Sequence, residues 1–245
     1  MRRFSEQMGW AVDRGGFAIE AAVDERLGFL RKTYSLLTLQ IVAVGAISAA
    51  IISNESILMG IVNLFYTSSK GMFLYLGAVF GVSLLTRSML AGDKSIGVQY
   101  SAAAIWVVFL SILVAPICWM AAEATGGYQI VANAFFLTLA LFGGLTAYVL
   151  TTKKDFSALR GALWMGSIGL LAIALISYFM GSAGSIWMSV AWLVLLSGWT
   201  LYDTSQVLHK RAVNQYVAAS VDLLVDFVYM FIYILMILLQ SSSRD

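Results

Sequence analysis

Apolar residues along this chain gather into seven long runs separated by short polar gaps. A hydrocarbon core about 30 Å thick needs about 20 apolar residues per helix. The runs at 34–53, 71–87, 98–122, 130–151, 161–180, 185–208 and 216–239 meet or approach that length. The pattern predicts an all-α integral membrane protein with seven transmembrane helices over 34–239, and reads the stretches between the runs as connecting gaps. Residues 1–33 predict a charged cytoplasmic tail, and 240–245 a short C-terminal tail. Within the first tail, positions 17–30 fit an interfacial amphipathic helix and a merely solvated segment equally well. The tail holds no apolar stretch of the kind that marks a cleavable leader, so the first helix is expected to act as an uncleaved insertion signal. No linker rich in Pro, Gly or Ser and no internal repeat divides the runs, which argues for one integral domain.

Composition excludes a soluble globule. Of 245 residues, 60% are apolar and 11% charged, against about 45–50% and about 25% in soluble domains. Too few polar residues remain to cover a core, so lipid must replace the missing polar surface. The net charge of +2 gives no global basic field for nucleic acid. Counted by alternate gaps, however, thirteen Lys and Arg fall on one side and two on the other. The positive-inside rule then predicts the N-terminus inside and, after seven crossings, the C-terminus outside. For the seventh run, which carries two carboxylates, re-entry on the same side stays open as the alternative. Gly77 with Gly81, and Gly143 with Gly144, permit close helix approach, for which ordinary bundle packing is a sufficient use.

One cysteine, Cys118, and one histidine, His209, leave no intrachain disulfide and no His/Cys set for zinc or haem. No enzyme motif such as G-x-S-x-G, a P-loop or H-E-x-x-H occurs. Intramembrane aspartyl proteolysis is only half matched, since Tyr202-Asp203 is present but no Gly-x-Gly-Asp surrounds the later aspartates. The chain is therefore not expected to be an enzyme. Its candidate chemistry lies in three carboxylates within the apolar runs: Asp203 in TLYDTSQVL, and Asp222 and Asp226 in VDLLVDFVYMF. An ionisable group in hydrocarbon costs at least about 2.5–3.5 kcal/mol, so those retained serve a function or face a wet interior. Asp222 and Asp226 share a helix face about 6 Å apart along the axis. A short turn makes the sixth and seventh helices antiparallel neighbours, and all three carboxylates are expected to face one another.

Carboxylates in one low-dielectric site cannot all ionise cheaply, so such a group holds a shared proton near neutral pH. The same oxygens form a hard site of the kind calcium accepts, so proton and calcium compete. The simpler alternative has each aspartate hydrogen-bonded to a neighbouring helix, through Tyr202, Thr204 or Ser205 for example. Arg87, at the inner end of the second helix, fits either a latch on these aspartates or a snorkelling interfacial arginine. Glu123 fits a solvated outer end, His209 a cytoplasmic edge with a possible part in a pH response, Pro116 a kink in the third helix, and Cys118 core packing.

Several segments carry a family resemblance. NAFFLTLALFGGLTAYVLTTKKDFSALRGALWMG at 133–166, the run GSIWMSVAWLVLLSGWTLYDTSQVLHKRAVNQYVAASVDLLVDFVYMFIYILMILL at 184–239 with its YDT and D-L-x-x-D-F patterns, and FLRKTYSLLTLQ at 29–40 resemble the Bax inhibitor-1 family, most closely its bacterial YccA-like branch. The resemblance implies a seven-helix fold with the last helix surrounded by the other six, in a bacterial inner membrane. It implies a pH-sensitive calcium leak gated by two aspartates, Asp203 and Asp226, with Asp222 matching an acidic position of some relatives and Arg87 the counterpart of a latch arginine. Hairpin counting alone puts Asp222 nearer the depth of Asp203, whereas the resemblance selects Asp226. The implied partners are the lipid bilayer, protons and calcium, the last as a permeant or transiently bound ion at Asp203 and Asp226, with no cofactor. The bacterial branch also resembles modulators of the membrane-anchored AAA protease FtsH, which implies a non-conducting binding role as the alternative.

Overall fold

The structure is a computed structural model that describes residues 18–19, 21–67, 70–92, 94–180 and 185–242. Most of the predicted cytoplasmic tail lies outside the described residues. The helices are α1 (Val23–Ile52), α2 (Glu55–Val62), α3 (Gly71–Met89), α4 (Ile96–Thr125), α5 (Gln129–Thr152), α6 (Arg160–Phe179), α7 (Ile186–His209) and α8 (Tyr216–Ser242). A π-helical turn, Asn63–Thr67, follows α2, and a 3₁₀ turn, Ser157–Leu159, precedes α6. All of the α-helices except α2 are long and apolar enough to cross a membrane, which makes seven candidate spans among the described residues. Side chains such as Phe80 (66% exposed), Met165 (76%) and Trp187 (77%) lie open on these helices. Such a surface is unfavourable in water and natural against lipid.

Two departures from the predicted pattern have physical causes. α1 begins at Val23 rather than near 34, because hydropathy marks where a helix enters hydrocarbon and not where it starts to wind. At about 1.5 Å per residue its thirty residues reach about 45 Å, so the turns carrying Asp24, Glu25, Arg26, Arg31 and Lys32 extend beyond the core. The gap between the first two spans contains α2, capped by the Asn54 side chain accepting from the Ile57 N–H at 3.2 Å. Eight residues are too short to span. The seventh span is a single unbroken helix of 27 residues, with no internal turn of the kind re-entry needs.

Burial separates the helices into two kinds. In their most apolar stretches α4 is 72% buried and α8 61%, against 6% to 28% for the other five spans. The resemblance implies one enclosed helix, the last; α4 is buried to at least the same degree. Both are apolar nearly all round, and α4 sets small residues (Ala102, Ala103, Ala115, Ala121, Ala122) among its large ones. Pro116 lies inside α4 and cannot donate to the Ile112 carbonyl, and one residue along, the Leu113 carbonyl accepts from Tyr66 Oη at 3.3 Å.

The chain divides into two compact units, one formed up to Trp119 with Lys210–Leu224, the other by Met120–His209 with the chain from Val225 onward. In the first, polar seams tie the helices. Gln40 Nε2 donates to Ser220 Oγ (3.2 Å), Ser48 Oγ to the Ser111 carbonyl (3.3 Å), and Trp106 Nε1 to Thr86 Oγ1 (2.9 Å). In the second, α7 packs between α5 and α6. Leu163 sits so close to Gly198 that a Cβ there would lie 2.6 Å from its Cδ2, so a larger residue would require the Leu163 side chain to shift. Trp199 Nε1 donates to Ser167 Oγ at 3.1 Å beside it.

Candidate functional site

Asp203 lies on α7 six residues, or about 9 Å, before the helix end at His209. It is half-buried, and both following residues, Thr204 and Ser205, are fully buried. One turn earlier Trp199 meets the Trp164 ring edge-on (5.9 Å) and the Tyr202 ring (5.6 Å). One turn later the helix is fastened to the α5–α6 connection. Ser205 Oγ accepts from the Phe156 N–H (2.9 Å), Gln206 Nε2 donates to Ser157 Oγ (3.0 Å), and His209 places its Nε2 3.1 Å from the Lys153 carbonyl and its Nδ1 2.9 Å from the Ser205 carbonyl. The connection is itself shaped locally. Lys153 ends α5 in the left-handed region (φ 53°), and the Asp155 carboxylate accepts from the Ser157 N–H at 2.8 Å. His209 is thus a structural bridge at the end of α7.

Asp226 is buried, with 5% of its surface exposed. The next residue, Phe227, is wedged edge-on between Phe135 (6.0 Å) and Phe142 (5.5 Å) of α5, which fixes the rotation of α8 at the carboxylate. Further along, Trp192 stacks on Tyr233 (5.7 Å, 13° between planes) and Gln240 Nε2 donates to Ser189 Oγ (3.1 Å), so α7 and α8 run antiparallel in this unit. Counting fourteen residues along each helix from the Ser189–Gln240 pair brings Asp203 level with Asp226. Counting eleven residues from the Trp192–Tyr233 stack instead puts the level of Asp203 four residues, about 6 Å, before Asp226 on α8. The Ser189–Gln240 pair thus fits Asp226 as the counterpart of Asp203, while the stack and hairpin counting from residue 212 both set the two about one turn apart.

Asp222 has a different surrounding. Its carboxylate forms an ion pair with the guanidinium of Arg211, on the turn between α7 and α8. Among the described residues no three of His, Cys, Asp or Glu gather into a metal-holding group. Asp222 thus has a charge partner of its own, and an arginine within reach neutralises it more cheaply than further carboxylates would. Arg87 is exposed in the last turn of α3 and, among the described residues, pairs with no aspartate. Sequence reasoning missed Arg211 as a partner, since a residue on a turn eleven positions before its carboxylate follows no helical spacing rule. It also missed the clasp of the α5–α6 connection on α7, for which the Asp-Phe-Ser run at 155–157 was the available signal. Glu123 is exposed in the last turn of α4, and Cys118 is buried as packing.

Asp203 and Asp226 together offer up to four oxygens, fewer than the 6–8 of a resident calcium site. Comparison with known proteins agrees with the architecture. Residues 26–243 match the family model described as inhibitor of apoptosis-promoting Bax1. A BI1-like protein of Arabidopsis thaliana is 31% identical over 89% of this chain and 82% of its own length. Protein lifeguard 4 of Mus musculus is 26% identical over 94% and 92%, and a bacterial protein of Pseudomonas aeruginosa is 29% identical over 94% and 98%. With nearly all of its described helices inside the match, the chain is a multi-pass membrane protein that belongs to the Bax inhibitor-1 family.

Proposed function

We propose that this protein is a pH-sensitive calcium leak channel of the bacterial inner membrane, with its N-terminus cytoplasmic and its C-terminus periplasmic. Asp203 and Asp226 are its proton-sharing gate. The observation that carries this reading is the buried carboxylate of Asp226 on a helix antiparallel to α7, which the Ser189–Gln240 pair brings level with Asp203. With one proton between them, the two carboxylates carry a single charge and α7 and α8 stay together. Losing that proton sets two like charges in a low-dielectric site, favours separation and admits calcium, whose charge replaces that of the proton. Acid reverses the shift. A tenfold change in the open population takes only about 1.4 kcal/mol, well within what one proton can supply. No enzymatic step and no cofactor enter this mechanism; calcium is the cargo.

The test is calcium flux into liposomes holding the purified protein between about pH 6 and about pH 8, the range in which a shared proton would leave, for the wild type, Asp203→Asn and Asp226→Asn. A leak that rises with pH, with a dependence that weakens on either substitution, is expected. No flux above empty liposomes at any pH overturns the channel. The second reading, a modulator of an FtsH-type membrane protease, is favoured by the eleven charged residues of positions 1–33. Deleting residues 1–17, which leaves Ala18 and α1 intact, removes protease modulation and leaves the pH dependence of flux in place if both roles exist.

A further inference from the structure

We propose that Arg211 ties the segment preceding α1 to the first turns of α8, so that a partner engaging the N-terminal tail acts on the helix that carries the gate aspartate. Three segments meet at this one residue. Its backbone carbonyl accepts from the Ala18 N–H at 3.0 Å, its guanidinium pairs with Asp222 on α8, and it sits on the turn that joins α7 to α8. Ala18 is fully buried, which shields that backbone hydrogen bond from water. The side chains of the ion pair are 30% and 34% exposed, so the pair is neither sealed in the core nor fully solvated.

The surrounding contacts favour a joint that transmits movement. Lys32 of α1 lies over the Tyr216 ring with Nζ 5.6 Å from its centre, the Tyr216 hydroxyl meets that of Tyr100 at 3.2 Å, and Gln40 of α1 donates to Ser220. The start of α8 is thus held by α1 and α4 along one side, and by Arg211 at its end. The direction of the Arg211 carbonyl, which the Ala18 N–H needs, is set by a residue whose side chain is anchored on α8. Displacing either end therefore disturbs the other, and the coupling must be the same in both directions. The existence of the joint stands on the contacts alone; its effect on calcium rests on the channel reading.

The experiment is backbone amide exchange, read by mass spectrometry, on the full chain in lipid nanodiscs. Arg211→Gln and Asp222→Asn should each accelerate exchange over 18–22 and over 219–224 together, by about tenfold or more as local opening becomes easier. The double variant Arg211→Asp with Asp222→Arg should restore protection in both segments. In the reverse direction Ala18→Pro, which deletes the N–H, should accelerate exchange over 219–224. If Arg211→Gln does not fold, Arg211→Lys keeps the charge without the fork and should give a smaller acceleration in the same two segments. The joint is overturned if 18–22 exchanges at the wild-type rate when the ion pair is broken, or if Ala18→Pro leaves 219–224 unchanged. A second readout is calcium flux at fixed pH, which Ala18→Pro should alter in a conducting protein. A wild type that conducts nothing fails the channel reading, while the exchange data still decide the joint.

Discussion

Truncating Phe227 to alanine tests the packing that orients Asp226. The ring is 3% exposed and meets Phe135 at 6.0 Å and 74° and Phe142 at 5.5 Å and 81°. In a water-soluble core a buried Phe→Ala costs about 3–5 kcal/mol, transfer and cavity together. In a bilayer the separated helix still presents its ring to lipid, so most of the transfer part cancels. What remains is two edge-to-face pairs, together about 1–3 kcal/mol, and the dispersion lost to the void. Phe227→Ala is therefore expected to destabilise by about 2–3 kcal/mol, and Phe227→Leu, which keeps most of the volume but not the quadrupole, by about half of that. Phe80→Ala is the control: at 66% exposed on α3 it should fall within about 0.5 kcal/mol of wild type. The assay is reversible unfolding in mixed lipid and dodecyl sulfate micelles followed by tryptophan fluorescence. A Phe227→Ala variant no less stable than Phe80→Ala would refute the wedge and with it the fixed rotation of α8 at the carboxylate.

Neutralising the gate should be asymmetric. Asp226 is buried and Asp203 half-buried, so Asp226→Asn should stabilise the fold and flatten the pH dependence of calcium flux more than Asp203→Asn does; equal effects on both counts would contradict the burial argument. Gly71→Ala should be poorly tolerated, since a Cβ there overlaps the Phe65 backbone carbonyl of the π-helical turn. A loss of about 1–3 kcal/mol is expected from such overpacking, and a melting temperature equal to wild type would show that the turn yields. Thr86→Val removes the acceptor of the Trp106 indole at 2.9 Å where both groups are buried. Leaving that donor unsatisfied should cost about 1–3 kcal/mol, and the same unfolding assay would exclude the argument if valine proved neutral.

Seven spans were legible because lipid imposes one length on every crossing. The predicted ends of the second to seventh helices lie within three residues of the observed ones. Only the start of the first differs widely, at Val23, since charged residues such as Arg31 and Lys32 stop a hydropathy run without stopping a helix. The stretch ILMGIVNLFY, at 57–66, is as apolar as any span but too short, and Asn63 interrupts it, so its winding into α2 and a π-helical turn was hidden. That α4 is as enclosed as α8 was also beyond periodicity, because a helix apolar on every side looks the same whether proteins or lipids surround it.

The candidate site was legible in its members and not in its membership. Aspartates in apolar runs announce themselves by cost, and the i, i+4 spacing of Asp222 and Asp226 puts them on one helix face. A shared face does not give a shared environment. Asp226 is followed by an aromatic wedge from α5 and buried, whereas Asp222, one turn nearer the α7–α8 turn, is within reach of the Arg211 guanidinium. An aspartate held as an ion pair has its charge balanced already and gains little by sharing a proton or receiving calcium. The same short turn that makes α7 and α8 antiparallel neighbours thus divides the acidic residues by role. It leaves Asp203 and Asp226 as the carboxylates of the proposed gate, and pairs the third, Asp222, with Arg211.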